Sequence, residues 1–125
     1  MIYAIGVDIV RIERMEKAVE KWGRAFLERV FTEKELKYCM KGKVSYPSLA
    51  ARFAAKEAFI KALRGRKGLR LKEIETINDQ NGVPYLILHG NTKRIFDETL
   101  KKGRCHLSIS HDTDYAVGMV VIEED

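Results

Sequence analysis

The stretch Phe53-Ala54-Ala55-Lys56-Glu57-Ala58-Phe59-Ile60-Lys61-Ala62-Leu63 constrains this chain more than any other. Strong helix formers fill it without Gly or Pro, so it predicts a helix. At the helical period Ala51, Ala54, Ala55, Ala58 and Ala62 gather on one side, where another element can approach closely. Leu49, Phe53, Ile60 and Leu63 supply bulk on the other. A helix that is apolar nearly all round is expected to be buried. This one nevertheless carries Arg52, Lys56, Glu57 and Lys61, and charges on a buried helix are costly unless they are paired or bind something charged. Glu57 and Lys61 stand one turn apart on a stripe that Arg64 continues. By spacing alone they read as a helix salt bridge worth about 0.2–0.5 kcal/mol.

The elements around this helix follow from changes of period. Ile2 to Ile9 alternates, which is a strand pattern, with Tyr3, Ile5, Val7 and Ile9 on one face and Ile2, Ala4, Gly6 and Asp8 on the other. Asp8 stands near the strand's C-terminal end, where α/β proteins commonly hold functional carboxylates. It can alternatively cap the next helix, although Ile9 and Val10 intervene. From Arg11 onward Ile12, Met15, Val19, Trp22 and Phe26 fall at helical spacing opposite a mixed, net-basic face. Thr32-Glu33-Lys34-Glu35 reads as a capping box for a short helix, and Ser45 to Ser48, with Pro47, leads into the central helix. Ile74–Asn78 and Pro84–Leu88 read as a hairpin around Asn81-Gly82. Thr92 is a candidate cap for a helix carrying Ile95, Phe96 and Leu100. Two strands follow, from Cys105 to Ile109 and from Tyr115 to Glu123. The expected fold is α+β: one domain over residues 1–125, a mainly antiparallel sheet packed on a central buried helix.

Composition narrows the function classes. Two cysteines, Cys39 and Cys105, are too few and too isolated for a disulfide framework or a zinc site. No apolar run reaches bilayer length and no charged-then-apolar leader precedes the first strand, so a cytoplasmic protein without membrane insertion is expected. The formal net charge of +5 favours an anionic partner. Gly65-Arg66-Lys67-Gly68 is a basic loop but lacks the spacing of a nucleotide-binding P-loop.

Three motifs occur in order: Ile5-Gly6-Val7-Asp8-Ile9 at the end of the first strand, Phe-Ala-Ala-Lys-Glu-Ala-x-x-Lys-Ala from Phe53, and His106-Leu107-Ser108-Ile109-Ser110-His111 near the C-terminus. Together they closely resemble the signatures of the phosphopantetheinyl transferases, specifically the small holo-acyl-carrier-protein synthases, over essentially the whole chain. Ala4 and Asp112 depart from that pattern, where relatives often carry Gly, and Ser or Thr, respectively.

The resemblance implies transfer of the 4′-phosphopantetheine arm of coenzyme A to a serine of apo acyl carrier protein, with release of adenosine 3′,5′-bisphosphate. It implies Mg²⁺ as cofactor, held by Asp8 and Glu57. Such a hard cation needs only one or two protein carboxylates. The resemblance makes Lys61 a contact to phosphate or pantetheine that stabilises transition-state charge. A nearby carboxylate favours protonated lysine, so Lys61 is read as a cation and not as the base. Asp8, Glu57 or a metal-bound water can take the serine proton. Arg52, Asn81, Gly82, Pro84, Ser110 and His111 match coenzyme-binding positions, and His89 and His106 are read as structural. The family's known homotrimers imply sites completed between subunits. Arg14, Lys17, Lys21 and Arg24 share a broad face of the first helix and are expected to dock the acidic carrier.

Two other readings stand beside this one. A nucleic-acid-binding module is suggested by the net charge and by Arg64-Gly65-Arg66-Lys67, but aromatics do not interleave with the basic residues, and no nucleic acid is expected. A carrier-binding relative without catalysis is disfavoured by the presence of Asp8, Glu57 and Lys61.

Overall fold

The computed structural model describes residues 1–125. Strand β1 (Ile2–Arg11) runs directly into helix α1 (Ile12–Val30), followed by α2 (Glu33–Cys39) and α3 (Tyr46–Ala62). A short 3-10 helix (Leu71–Glu73) precedes the hairpin β2 (Ile74–Asn78) and β3 (Pro84–Leu88). Helix α4 (Gly90–Thr99) and strands β4 (Gly103–Asp112) and β5 (Tyr115–Glu124) complete the chain. β1, β5 and β4 form one antiparallel sheet with β5 central, and β2 and β3 form a second, two-stranded one. The α+β class, the buried helix and the mainly antiparallel sheets agree with the expectation.

The alanine stripe of α3 lies on β1 and β5 at backbone distance. A Cβ placed on Gly6 would stand 1.9 Å from the carbonyl oxygen of Ala58, and one on Gly118 would stand 2.6 Å from the backbone nitrogen of Ala55. Ala54, Ala55 and Ala58 are fully buried in this contact. Phe59 and Leu63 continue the core toward Phe96, Val120 and Ile122, and the Phe59 and Phe96 rings are 6.0 Å apart between centroids. The inward face of β1 is therefore Ala4, Gly6, Asp8 and Val10. Its outward face is open: Ile5, Val7 and Ile9 are 59%, 55% and 60% exposed.

Two local expectations are corrected. Trp22 falls on the apolar stripe of α1 by spacing, yet it is 61% exposed. The helix breaks at Gly23 (φ 60°, ψ −142°), so the buried stripe resumes at Leu27 and Val30 on a redirected axis. Thr92 does not cap α4. The N-cap is His89, without a side-chain bond. Glu73 caps the helix from outside, accepting from the backbone N–H groups of Asn91 and Thr92 at 3.3 and 3.1 Å. The Thr92 hydroxyl donates to the same carboxylate at 2.8 Å. The capping box of α2 and the Ser45 cap of α3 form as the sequence predicts.

Candidate active site

The site starts from the close packing of β1 on α3. With no side chain at Gly6, the strand lies against the helix, and Asp8, two residues on and on the same face, reaches the side of α3 that bears Glu57 and Lys61. The Lys61 ammonium donates to Asp8 Oδ1 at 2.9 Å and to the Val7 carbonyl at 3.2 Å. This corrects the salt bridge read from spacing: Lys61 pairs with Asp8 across the strand–helix contact instead of with Glu57 on its own helix. Arg64 leaves the stripe altogether. It adopts a left-handed conformation past the helix end (φ 58°) and its guanidinium lies 5.4 Å from the centroid of the Tyr3 ring.

The Glu57 carboxyl is pushed above the ordinary glutamate range, first by burial and then by the charge of Asp8, with Lys61 acting in the opposite sense. Glu57 thus lies near the charge of Asp8, while the Lys61 ammonium bonds to Asp8. No third His, Cys, Asp or Glu joins them to make a larger ligand cluster. Two carboxylate donors fit a hard divalent cation of the Mg²⁺ kind, which needs only one or two of them.

A second cluster lies at the opposite edge of the sheet. Asp8 is in register with Gly118, and Gly118 with Ile109 of β4, so β5 separates Asp8 from the strand that carries Ser110 and His111. A cleft of about 220 Å³ brings together Arg52, Gly82, Pro84, Ser110 and His111, five residues drawn from three distant parts of the sequence. Asn81 is not among its walls. It occupies the exposed hairpin tip, where its backbone N–H donates to Asp79 Oδ1 at 2.8 Å.

Arg52 is almost wholly buried. Its guanidinium stacks 4.2 Å from the centroid of the Tyr38 ring, one terminal nitrogen donates to Asn78 Oδ1, and Nε has no partner within the protein. Asn78 in turn donates to the Gly82 carbonyl at 3.1 Å. A buried guanidinium held by a ring and an amide, with an unpartnered donor, leaves positive charge beside the cleft. Tyr38 and Asn78 also line the cleft, and sequence reading missed both. Asn78 ends a predicted strand just before a turn, which is a weak signal, and Tyr38 carries none.

On α1, Arg14, Lys17, Lys21 and Arg24 are all exposed. Lys17 pairs with Glu13 at 3.0 Å and Arg24 with Glu28 at 3.3 Å. The break at Gly23 separates Arg24 from the other three. His89 and His106 pair with Glu75 and Glu123, each at 2.9 Å. No helix is long and apolar enough to cross a membrane.

Comparison with known proteins converges on one family. The family model described as the 4′-phosphopantetheinyl transferase superfamily matches residues 4–120. A curated holo-[acyl-carrier-protein] synthase of Halothermothrix orenii is 47% identical over 125 residues, covering 99% of each chain. Among solved structures, the holo-(acyl-carrier-protein) synthase of Bacillus anthracis in complex with CoA (3′,5′-ADP) superposes with a TM-score of 0.81 at 36% identity, covering 100% of this chain and 99% of its own. The synthase of Neisseria meningitidis gives a TM-score of 0.86 at 34% identity, covering 99% and 100%.

Proposed function

The chain belongs to the holo-[acyl-carrier-protein] synthase family of the 4′-phosphopantetheinyl transferase superfamily, and from that premise we infer how its residues divide the work. It transfers 4′-phosphopantetheine from coenzyme A to a serine of apo acyl carrier protein. The serine oxygen forms the new P–O bond, the bond to the leaving phosphate breaks, and adenosine 3′,5′-bisphosphate departs. We read residues 1–125 as one phosphopantetheinyl transferase domain, acting in the cytoplasm.

The observation that carries the reading is the convergence of Asp8, Glu57 and Lys61 at the β1–α3 contact. Asp8 and Glu57 would hold Mg²⁺, which when bound offsets charge on the pyrophosphate oxygens as a Lewis acid. Lys61, placed against Asp8, supplies a fixed positive charge where negative charge grows on the leaving phosphate. Across the sheet, Arg52 and His111 offer cationic and donor groups to the coenzyme's nucleotide end, with Gly82, Pro84 and Ser110 shaping the cleft. Asn81 reaches that end only from the hairpin tip. Glu57 is kept partly desolvated by the packing of α3, and with Asp8 it is a candidate acceptor of the serine proton.

Two further features support partners. A homotrimer would cover the open sheet face of Ile5, Val7 and Ile9, with Tyr115 and Met119 of β5 beside them. It would also let clusters at opposite edges of one sheet meet those of neighbouring copies. The acidic carrier would dock on Arg14, Lys17 and Lys21, with Arg24 beyond the break. Beside them Trp22, Ala25, Phe26 and Arg29 line a groove of about 290 Å³. The test is direct: the protein is mixed with coenzyme A, Mg²⁺ and an apo carrier, and the carrier is weighed. Metal-dependent addition of one phosphopantetheine mass is expected. An unmodified carrier under all metals tried would overturn the reading.

A further inference from the structure

The chain from Lys61 to Lys67 carries four cations, of which Lys61 alone belongs to the transfer cluster. The loop they form after α3 is fixed at both ends. Arg64 lies over the Tyr3 ring, and the Gly68 carbonyl accepts from the Asn91 side-chain amide at 3.1 Å. Tyr3 reaches that position through an irregularity in β1. The register with β5 shifts between Ile2 and Ala4, so Tyr3 has no partner there. Alternation would put it on the open face with Ile5 and Val7. Instead it turns to pack beside Ala4 against the core under α3. The loop, β1 and α4 border a cleft of about 640 Å³ lined by Tyr3, Arg66, Lys67, Ile95, Glu98 and Thr99. Its one carboxylate, Glu98, is already bonded by Arg94 at 2.9 and 3.3 Å. Arg66 and Lys67, both exposed, therefore leave this cleft basic.

The basic cleft lies one arm's length from the reacting phosphorus. Asp8 and Tyr3 are five residues apart on one strand, about 17 Å at the strand rise. Phosphopantetheine has thirteen bonds from phosphorus to sulfur, as many as four extended residues, and spans about 15 Å. In-line displacement sets the serine oxygen opposite the leaving phosphate, so the arm leaves phosphorus to the side of that line. Toward Arg11, β1 runs into α1 and the proposed carrier face. Toward Tyr3 it runs antiparallel to α3, past the contact of Gly6 with Ala58 and Ala62, to the basic loop. The Tyr3 end is thus the one left to the arm. β1 is an edge strand bonded only to β5, and a free strand edge suits the two amides of the arm.

We propose that the basic cleft receives the sulfur end of the donor, and that Arg66 and Lys67 make the enzyme prefer coenzyme A thioesters whose acyl group ends in a carboxylate. The proposal rests on the assignment of Asp8, Glu57 and Lys61 as the transfer cluster. It does not depend on which copy supplies the nucleotide cleft, because the basic cleft and the transfer cluster share β1 and the end of α3 in one chain. A malonyl group extends beyond sulfur by the length of one extended residue, about 3.5 Å. That carries its carboxylate past Tyr3 to the loop cations. The acyl group takes no part in the chemistry. The serine oxygen bonds to phosphorus, the bond from phosphorus to the bridging oxygen breaks, and adenosine 3′,5′-bisphosphate leaves with that oxygen. The serine proton passes to the base of the transfer cluster, and the thioester travels intact onto the carrier.

The experiment measures kcat/KM for malonyl-coenzyme A and isovaleryl-coenzyme A, whose acyl groups have nearly the same shape but differ in charge. Coenzyme A is the reference donor, and one apo carrier is used throughout. Wild type is expected to prefer the malonyl donor about fivefold, the scale of exposed charge pairs. That ratio should narrow as salt rises. Arg66→Gln/Lys67→Gln, on an exposed loop, should bring the ratio to about one, and Arg66→Glu/Lys67→Glu should invert it. A wild-type ratio of one overturns the proposal, and so does a ratio that neither double variant changes. An equal loss on all donors with a raised carrier KM would mean that the loop touches the carrier, and overturns it as well. If wild type does not use coenzyme A at all, the transferase reading fails and the proposal with it. If coenzyme A is used and the malonyl-to-isovaleryl ratio is flat, the proposal alone falls.

Discussion

The Lys61 ammonium lies 2.9 Å from Asp8 Oδ1, a pair 53 residues apart in sequence that meets across a strand–helix contact. The pairing makes Lys61 part of the same charge cluster as the proposed metal ligands. Lys61→Met should therefore lower kcat more than it raises the KM for coenzyme A, by about a hundredfold, since its charge is needed where negative charge develops. Steady-state kinetics at saturating coenzyme decides it. A normal kcat with only weaker binding would reassign Lys61 to ground-state contact.

Glu57 carries a stability cost that depends on pH. Its carboxyl titrates above the ordinary value, about 4.3, through burial first and then Asp8. A group with a raised folded pKa contributes its full stability below the unfolded value and loses it as pH rises through the folded one. In metal-free buffer, Glu57→Gln should thus melt slightly higher than wild type at pH 7, by about 2 °C for this half-buried group, and the difference should vanish below about pH 4. Added Mg²⁺ should raise the melting temperature of wild type and not of the variant, while turnover of the variant falls by orders of magnitude. A variant that melts lower at pH 7 would show that the ionised Glu57 carboxylate stabilises the fold instead.

Gly6 is where strand and helix touch. A methyl group there would stand 1.9 Å from the Ala58 carbonyl oxygen and 2.9 Å from the Ala62 nitrogen, both backbone atoms that no rotamer change can clear. Gly6→Ala should cost about 3 kcal/mol in urea denaturation, as overpacking does, and should lower turnover by displacing Asp8 from Glu57. Wild-type stability would mean that β1 can lift from α3 at little cost.

The open face of β1 tests the assembly. Val7 points away from α3 and is 55% exposed between Ile5 and Ile9. Val7→Glu should leave the fold intact by circular dichroism yet give a monomer by light scattering, with activity lost alongside. A fully active monomeric wild type at assay concentration would refute the trimer.

The carrier face is tested by charge reversal. Arg14 and Lys21 lie on the same segment of α1, before the break at Gly23. Arg14→Glu/Lys21→Glu should raise the carrier KM about tenfold while leaving the KM for coenzyme A nearly unchanged, although either exposed charge alone is worth ~1 kcal/mol or less. The wild-type carrier dependence should weaken as salt rises. An unaltered carrier KM with no salt dependence would make this face merely solvated.

Local order was legible in the sequence because it depends on neighbours. The hairpin bounds Ile74–Asn78 and Pro84–Leu88, the Thr32 capping box and the buried central helix could be read from alternation, turn residues and capping chemistry. The three motifs likewise sufficed to name the family. What the sequence could not decide were the partners of charged groups. Spacing paired Lys61 with Glu57, because along a helix only i,i+4 neighbours are visible. Asp8 became the partner when Gly6 brought β1 onto α3. Trp22 was misplaced because the left-handed Gly23 turned the helix axis, and Thr92 because Glu73, arriving from another element, took over the cap. Lys56 looked like one more charge on a costly helix until the fold supplied Glu35 and two carbonyls around it. Backbone periodicity is a property of a segment. Pairing of buried charge is a property of the segments that meet there, and only the tertiary structure brings them together.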